Sequence, residues 1–362
     1  MTNIEKLIDY LPEGYEASCI ETKVIQRSRA IKNPRDLIKL CLIYLTQNSS
    51  LLEISELSKA MGIAQISDVA FMKKFAKCGD WFKWILEHLK IEELMSYEKP
   101  NALETYRVVA VDASVVVEKG ATKRRFKLHY GIDLFTLSST SHQLTMESTG
   151  ESLRNFNIQS KDLILGDRAY GTKTSIEYCL DARADFIFRI KNKAFKLYDE
   201  NRNEVNLLSF LKTADEEKAN EIPVYMINSK KELVPLRLCA IKKSADEIKK
   251  AQKKLKRKES KGQLRFTDET KLTHQFVFVI SSLPTAISAD EILSIYRLRW
   301  QVELYFKRLK SIMSYGDLPK KSEASMLAWL NGKLLVALLV ERVLAEAVFF
   351  PEKQESSEKY LA

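Results

Sequence analysis

Five residues with chemically active side chains follow one another at helical spacing near the end of the chain. They are Tyr296, Arg299, Glu303, Lys307 and Lys310, within the stretch YRLRWQVELYFKRLK. On one straight helix, which turns by about 100° per residue, all five fall on a stripe roughly 80° wide. Apolar residues recur at three- and four-residue steps on a neighbouring face. The pattern predicts a helix that packs on one side and presents an acid among cations on the other. Taken alone, the stripe is more typical of a solvated surface in which Glu303 and Lys307 form an i,i+4 ion pair.

Two further acids occupy unusual local positions. Asp112 interrupts the apolar run VVAVDASVVV, and Asp167 stands where the apolar segment LILG gives way to a turn. A carboxylate in a buried strand is costly unless it is paired, bound to a cation or at the strand end. Each acid alone has an ordinary interpretation, Asp112 as a strand-end residue and Asp167 as an Asx-turn acceptor. Considered together with the stripe, they indicate a shared site.

Carboxylates that come together from separate elements repel one another and need a compensating cation. Hard oxygen ligands with few His or Cys favour Mg²⁺ or Mn²⁺. Two such ions about 3.5–4 Å apart can activate a water or a 3′-hydroxyl and stabilise the leaving oxygen during phosphodiester displacement. The chemistry that the acids suggest is therefore metal-dependent cleavage of a nucleic acid.

Composition and charge agree with a polyanionic partner. The chain of 362 residues has a net charge of +10 and a pI near 9.1, although charge alone does not separate nucleic acid from an acidic membrane. The five cysteines are scattered without a CxxC pair, which favours reduced thiols in a cytosolic protein over a disulfide framework or a zinc site. The most apolar stretch is interrupted by Lys333, Glu341, Arg342 and Glu346, and the N-terminus is acidic. We expect neither a membrane span nor a signal peptide.

Changes in periodicity divide the chain into five segments. Residues 1–100 show helical patterns, residues 101–190 strands followed by strand–helix–strand alternation, and residues 191–274 further strands within polar, basic sequence. Residues 275–320 contain the strand QFVFVISSL and the helix of the stripe, and residues 321–362 a C-terminal helix and tail. The sequence therefore predicts an α/β protein with a mixed sheet.

Two segments have both a structural and a DNA-binding interpretation. The two helical patterns joined around Gly62 resemble a helix-turn-helix, but many simple helical hairpins look the same. The basic run of residues 242–261 is either a solvated helix or linker, or an arm that contacts phosphates, and the other observations favour the arm.

The sequence resembles the DDE transposases of the IS4 type. The signature of that family is Tyr, two residues, Arg, three residues, Glu, six residues, Lys, and Tyr296, Arg299, Glu303 and Lys310 meet it without a gap. The first acid of the family follows an apolar strand, as Asp112 does, and the second lies in a segment like GDRAYG. The resemblance covers nearly the whole chain.

The resemblance implies an RNase H-like catalytic core with a helical, DNA-binding N-terminal domain and a β-rich insertion between the second and third acids. Asp112, Asp167 and Glu303 would be the catalytic acids and would bind two Mg²⁺ or Mn²⁺ ions, while four residues would hold DNA phosphates: Tyr296, Arg299, Lys307 and Lys310. The partners would be double-stranded DNA, both the terminal inverted repeats of the element and the target, and a second copy in a homodimer. The protein would act at the nucleoid in the bacterial cytosol, with no membrane partner.

Two alternatives remain open, a catalytically idle DNA-binding repressor or remnant and a structure-specific nuclease on the same fold.

One departure from the family concerns the strand before the glutamate helix, where some relatives carry a tryptophan that stacks on a flipped base. This chain has only Phe276 and Phe278 there, and we expect both to pack in the core. We likewise expect His129 to be a hydrogen-bonded structural residue.

Overall fold

The computed structural model describes residues 2–26, 30–47, 49–90, 96–118, 124–262, 265–319 and 322–348. The tail beyond residue 348, which the sequence assigns to the C-terminal segment, lies outside the described residues. None of the described helices is long and apolar enough to cross a membrane.

Among the described residues, six α-helices precede the first strand, as the helical periodicity of residues 1–100 predicts. They are α1 (Thr2–Asp9), α2 (Tyr15–Glu21), α3 (Pro34–Gln47), α4 (Leu51–Ala60), α5 (Asp68–Phe75) and α6 (Gly79–His88). A capping box of Ser50 and Glu53 begins α4, and the chain turns at Gly62, whose φ of +68° favours glycine. The helical hairpin predicted around Gly62 is therefore present as α4 and α5.

In the part of the chain that the structure describes, eight strands form one mixed sheet. They are β1 (Arg107–Val117), β2 (Arg125–Asp133), β3 (Ser139–Met146), β4 (Asp162–Gly166), β5 (Asp185–Arg189), β6 (Asn220–Ile227), β7 (Leu233–Lys242) and β8 (Phe276–Ser281). Their order is β3-β2-β1-β4-β5-β8-β7-β6. Strands β1, β4 and β5 are parallel, and the remaining neighbours are antiparallel.

Residues 191–274 extend this sheet. They contribute β6 and β7, which join the core strands through β8, together with three helices. The described helices that follow β4 are α7 (Lys173–Asp181), α8 (Leu207–Thr213), α9 (Ala245–Gly262), α10 (Asp268–Thr273), α11 (Ala289–Arg297), α12 (Trp300–Ser311) and α13 (Glu323–Val348). The basic run of residues 242–261 forms the end of β7 and most of α9.

The sheet carries a hydrophobic core on each face. One face packs against the N-terminal helices and α11–α13, and the other packs against α7 and α8. Phe276 and Phe278 are buried in the second core, which confirms the prediction that they pack there. His129 is buried on β2, with Nε2 3.0 Å from the hydroxyl oxygen of Thr145, as expected for a structural histidine.

The last described helix, α13, packs against the N-terminal helices and hydrogen-bonds to two of them. Its Lys333 Nζ donates to the carbonyl oxygen of Leu45 in α3 at 2.5 Å, and its Asn331 donates to the carbonyl oxygen of Gly79 in α6 at 3.1 Å. A Cβ atom on Gly332 would lie only 2.6 Å from the side chain of Leu45. A side chain at that crossing would therefore have to displace the Leu45 side chain.

The structure corrects one feature of the predicted stripe. The sequence predicts one straight helix over residues 296–310, but α11 ends at Arg297 and α12 begins at Trp300. The backbone N–H groups of Leu298, Arg299, Gln301 and Val302 each donate to the carbonyl oxygen three residues earlier, at 3.0–3.2 Å. Tyr296 therefore lies on α11 and Arg299 in the junction, while Glu303 and both lysines lie on α12. A capping box of Ser288 and Glu291 begins α11.

Candidate active site

Asp112 lies on β1, and Asp167 directly follows β4, the neighbouring parallel strand. Ala110 of β1 is opposite Leu165 of β4, and each acid follows its paired residue by two positions. Side chains alternate between the two faces of a strand, so both carboxylates lie on the face of Ala110 and Leu165. That face is the one that α11 and α12 cover. Strand β4 ends at Gly166 while β1 continues to Val117, so the acids lie at the carboxyl end of β4, where α/β sheets commonly bind ligands.

The GDRAYG turn fixes the carboxylate of Asp167. Its Oδ1 accepts a hydrogen bond from Ala169 N at 2.8 Å, and its carbonyl oxygen accepts from Tyr170 N at 3.1 Å and Gly171 N at 3.2 Å. A Cβ on Gly171 would lie 2.1 Å from the carbonyl oxygen of Arg189, at the end of β5. Because only glycine allows this approach, the turn is held tightly against the sheet.

The third acid, Glu303, reaches the same place from α12. This helix packs against β1 and β2 through buried apolar residues, and Tyr305 stacks on Tyr130 of β2 with ring centroids 4.1 Å apart. Glu303 lies on the half-buried side of the helix. The helix thus directs Glu303 toward the sheet without burying it in the core.

The guanidinium of Arg299 lies between two of the acids. One terminal nitrogen is 3.6 Å from Oδ2 of Asp112, and the other donates to Oε1 of Glu303. The Arg299 side chain is only 13% exposed. A single buried cation therefore joins the first acid on the sheet to the third acid on the helix.

The electrostatics of Asp112 agree with three acids at one place. Its pKa is raised from 3.8 to about 6, first by burial and then by the charges of Asp167 and Glu303. The hydrogen bond from Ala113 N, at 2.8 Å, and the charge of Arg299 lower it. The guanidinium thus offsets only part of the cost of holding this carboxylate ionised.

The donor chemistry of the three acids fits a divalent metal ion. Carboxylate oxygens are the ligands that Mg²⁺ and Mn²⁺ prefer, and the mutual repulsion of the acids requires a cation. Within the described residues, no group of three or more His, Cys, Asp or Glu side chains is arranged closely enough to hold a metal ion. Instead, Arg299 supplies positive charge at the place where Asp112 and Glu303 approach each other.

The residues predicted to bind DNA surround these acids at different depths. Tyr296 is buried, 8% exposed, and its pKa is raised by burial although the charges of Arg299 and Arg189 oppose the rise. Lys310 is exposed and donates from Nζ to the carbonyl oxygen of Val115 at 3.1 Å, beyond Asp112 along β1. Lys307 is exposed on α12. Tyr296, Arg299 and Lys310 therefore border the acids, and Lys307 lies on the solvent side.

Two basic residues near the acids were missed by the sequence analysis. Arg168 directly follows Asp167, and Arg189 ends β5, the strand next to β4. The Nε atom of each is buried without a hydrogen-bond partner among the described residues. Asp167 was identified because it is a polar residue at the end of an apolar strand. Arg189, at the end of the segment DFIFR, fits the same pattern.

Comparison with known proteins now assigns the chain to a family. Residues 103–339 match the family model of the transposase DDE domain. The chain belongs to this family. It is 26% identical over 355 residues to the putative transposase InsL for insertion sequence element IS186A of Escherichia coli strain K12, covering 96% of this chain and 95% of that protein. It is 27% identical over 356 residues to the transposase for insertion sequence element IS421 of Escherichia coli, with the same coverage of each chain.

Family membership confirms the predicted fold and enzyme class. The mixed sheet with helices on both faces is the RNase H-like fold of a DDE transposase. The protein is an enzyme that cleaves DNA and transfers strands, and its chemistry depends on a divalent metal. The alternative of an idle repressor or remnant is not favoured.

Proposed function

We propose that Asp112, Asp167 and Glu303 are the catalytic acids of this transposase. They would excise and insert an insertion-sequence element by hydrolysing DNA phosphodiesters and joining the freed 3′-hydroxyl to target DNA. The observation that supports this assignment is the approach of the three carboxylates to one place from β1, the turn after β4 and α12. The gaps of 55 and 136 residues between them make this approach a property of the fold, not of local sequence.

The three acids would hold two Mg²⁺ or Mn²⁺ ions, with Asp112 shared by both. Such ions activate a water or a 3′-hydroxyl for attack and stabilise the leaving oxygen. The carboxylates supply hard oxygen ligands at the carboxyl end of β4. Asp112 is largely buried, and charges at a buried position interact more strongly than in bulk solvent.

The basic residues would position the DNA. Tyr296, Lys307 and Lys310 would hold phosphates of the element's end beside the acids, and Arg299 would move part of its interaction from the carboxylates to a phosphate. A guanidinium can bind carboxylate or phosphate with the same planar donors, so this exchange needs no change of protonation.

The partners are proposed on charge and on family. The net charge of +10 suits double-stranded DNA, and the relatives are named for insertion sequence elements. We propose that the protein binds the terminal inverted repeats of its own element and a target DNA as a homodimer, at the nucleoid of a bacterial cytosol. The helical segment of residues 1–100, with its α4–α5 hairpin, would recognise the repeats.

A substitution of Glu303 tests the catalytic assignment. Glu303→Gln keeps size and hydrogen-bonding capacity but removes the negative charge that a hard cation needs. We expect metal-dependent nicking to be lost and DNA binding to persist, because the change removes repulsion of phosphate and leaves the cations in place. The assay is nicking of a DNA fragment that carries the element's own end, with Mg²⁺ and with EDTA, beside a gel-shift titration.

The matched control is Glu200→Gln, which removes one charge from an exposed turn in residues 191–274. It should cleave and bind like the parent protein. A repressor would show no cleavage by the parent, and a metal-independent nuclease would cut equally well in EDTA. Cleavage retained by Glu303→Gln would remove Glu303 from the site.

A further inference from the structure

A second basic surface borders the acids, on the side of the sheet away from Lys310. It is a cleft between α9 and the turn after Asp167, here named the α9 groove. The seven Lys and Arg residues that line it are Arg168, Arg189, Lys243, Lys250, Lys254, Arg257 and Lys258. Glu247 is the one acid among its lining residues, and Ser244 already engages that carboxylate through its N–H at 3.1 Å and its hydroxyl at 2.9 Å. The groove therefore carries a large excess of positive charge.

The inner end of the groove is strained by cation–cation repulsion. The pKa of Lys243 is lowered to about 8, first by burial and then by the charges of Arg189 and Arg168. The one hydrogen bond described for Lys243 Nζ goes to a neutral carbonyl oxygen, that of His274, at 2.6 Å. The buried Nε atoms of Arg168 and Arg189 have no hydrogen-bond partner within the described residues. Unsatisfied buried donors and crowded cations cost free energy unless an anion binds among them.

The outer part of the groove is a regular row on α9. Lys250, Lys254 and Lys258 recur at four-residue steps, so they lie on one face of the helix about 6 Å apart. Lys249, Lys253 and Lys256 are equally exposed on the same helix but do not line the groove. One strand of DNA advances about 3.4 Å per phosphate, so the row spans a run of three or four phosphates. A row of that length suits a nucleic-acid backbone better than a single small anion.

The groove is continuous with the candidate active site. Arg168 follows Asp167 directly, and Arg189 and Lys243 also line a neighbouring cleft with Tyr296 and Arg299. Lys310 contacts β1, whereas Arg189 and Lys243 belong to β5 and the end of β7, on the other side of β4. Cations thus border the acids on both sides, as they would if a DNA backbone passed across them.

We infer that the α9 groove binds the phosphate backbone of DNA outside the element's end. Before excision this DNA is the flank of the element, and during insertion it is the target. The inference rests on the proposed function, in which Lys307 and Lys310 hold the element's end on the opposite side of the cleaved bond. Binding through phosphates makes the groove indifferent to sequence, which suits DNA that differs at every insertion site.

The test compares two double variants on two DNA fragments. Lys250→Gln with Lys254→Gln removes two charges from the groove, and Lys249→Gln with Lys253→Gln removes two charges from the outer side of α9. One fragment carries the element's end with flanking DNA, and the other stops at the element's last nucleotide. Gel-shift titrations at several salt concentrations give the affinity and its salt dependence.

We expect the groove variant to bind the flanked fragment roughly tenfold more weakly, with a salt slope smaller by about two. It should bind the precut fragment like the parent, and the outer variant should bind both fragments like the parent. Thermal melting should show that both variants are folded, since all four lysines are exposed. Strand transfer from a precut end should require more target DNA in the groove variant.

Three results would overturn the inference. Equal weakening by both double variants would mean that only the overall charge of α9 matters, and unchanged binding by the groove variant would mean that the groove does not contact DNA. Equal loss on both fragments would place the element's own end in the groove. Nicking by the parent protein with Mg²⁺ tests the acids separately, so the groove can fail while the proposed function stands.

Discussion

The carboxylate of Asp112 should destabilise the metal-free protein, and Asp112→Asn should therefore stabilise it. Its pKa of about 6 lies above the 3.8 of the unfolded chain, a difference that corresponds to about 3 kcal/mol. A folded state with the higher pKa binds the proton more tightly, so stability falls as the pH rises from about 3.8 to 6. The full penalty is present above pH 6. The side chain is 22% exposed, and we expect a gain of about 1–3 kcal/mol at pH 7.5.

Thermal denaturation in EDTA measures this effect. At pH 7.5 the variant should melt a few degrees above the parent, and the difference should shrink as the pH falls toward 4.5. Mg²⁺ should raise the melting temperature of the parent more than that of the variant, because binding to the folded state stabilises it.

The control for Asp112→Asn is the same change at a structural acid. Asp133 is buried at the end of β2, and its Oδ1 accepts from Phe135 N at 2.8 Å and Thr136 N at 3.0 Å. Asp133→Asn should destabilise the protein because it weakens charge-assisted hydrogen bonds. If Asp112→Asn also destabilised the metal-free protein at pH 7.5, the ion pair with Arg299 would outweigh burial and repulsion, and the reasoning would be wrong.

Three other substitutions test the parts that hold the site together. Arg107→Ala should lower the free energy of unfolding in urea by about 3–5 kcal/mol. The change removes the two hydrogen bonds, of 2.7 and 2.8 Å, that the Arg107 guanidinium donates to the Asp162 carboxylate, which is only 2% exposed. A loss below about 1 kcal/mol would contradict this. Gly171→Ala should displace the turn from β5 and lower the nicking rate by about 100-fold, whereas Gly150→Ala, where a Cβ meets open space, should not. Lys310→Ala should lower the salt slope of binding to the element's end by about one, and an unchanged slope would mean that Lys310 contacts no phosphate.

The acids could be identified from the sequence because a charged residue within a buried apolar segment is costly and therefore conspicuous in the sequence itself. Asp112 within a β-branched run and Asp167 after LILG are exceptions to local apolar patterns, and the free-energy cost of burial makes such exceptions informative. Most helices and strands were also predictable, because their apolar periods are local. The pairing of β6 and β7 with the core sheet was not, since it depends on contacts of β7 with β8 that no local period encodes.

The junction at Arg299 shows where local periodicity is insufficient. The apolar spacing continues from α11 into α12 without Gly or Pro, so the sequence predicts one helix. The turn at Leu298 and Arg299 tightens to i→i+3 bonds, and Arg299 pairs with Asp112 on a distant strand. Arg189 has the same local signal as Asp167, but its position beside the acids depends on the pairing of β5 with β4, which no local pattern encodes.

The packing of α13 against α3 and α6 has a consequence for synthesis of the protein. Lys333 donates a hydrogen bond to Leu45, 288 residues earlier, so the N-terminal helices lack this packing partner until a further 288 residues have been synthesised. At about 5–20 residues per second, this delay lasts roughly 15–60 s on the ribosome. A chain that ended before α13 would expose the apolar residues that this helix covers, and proteolysis would remove it. Incomplete translation products of this gene would therefore not persist as DNA-binding competitors of the full-length enzyme.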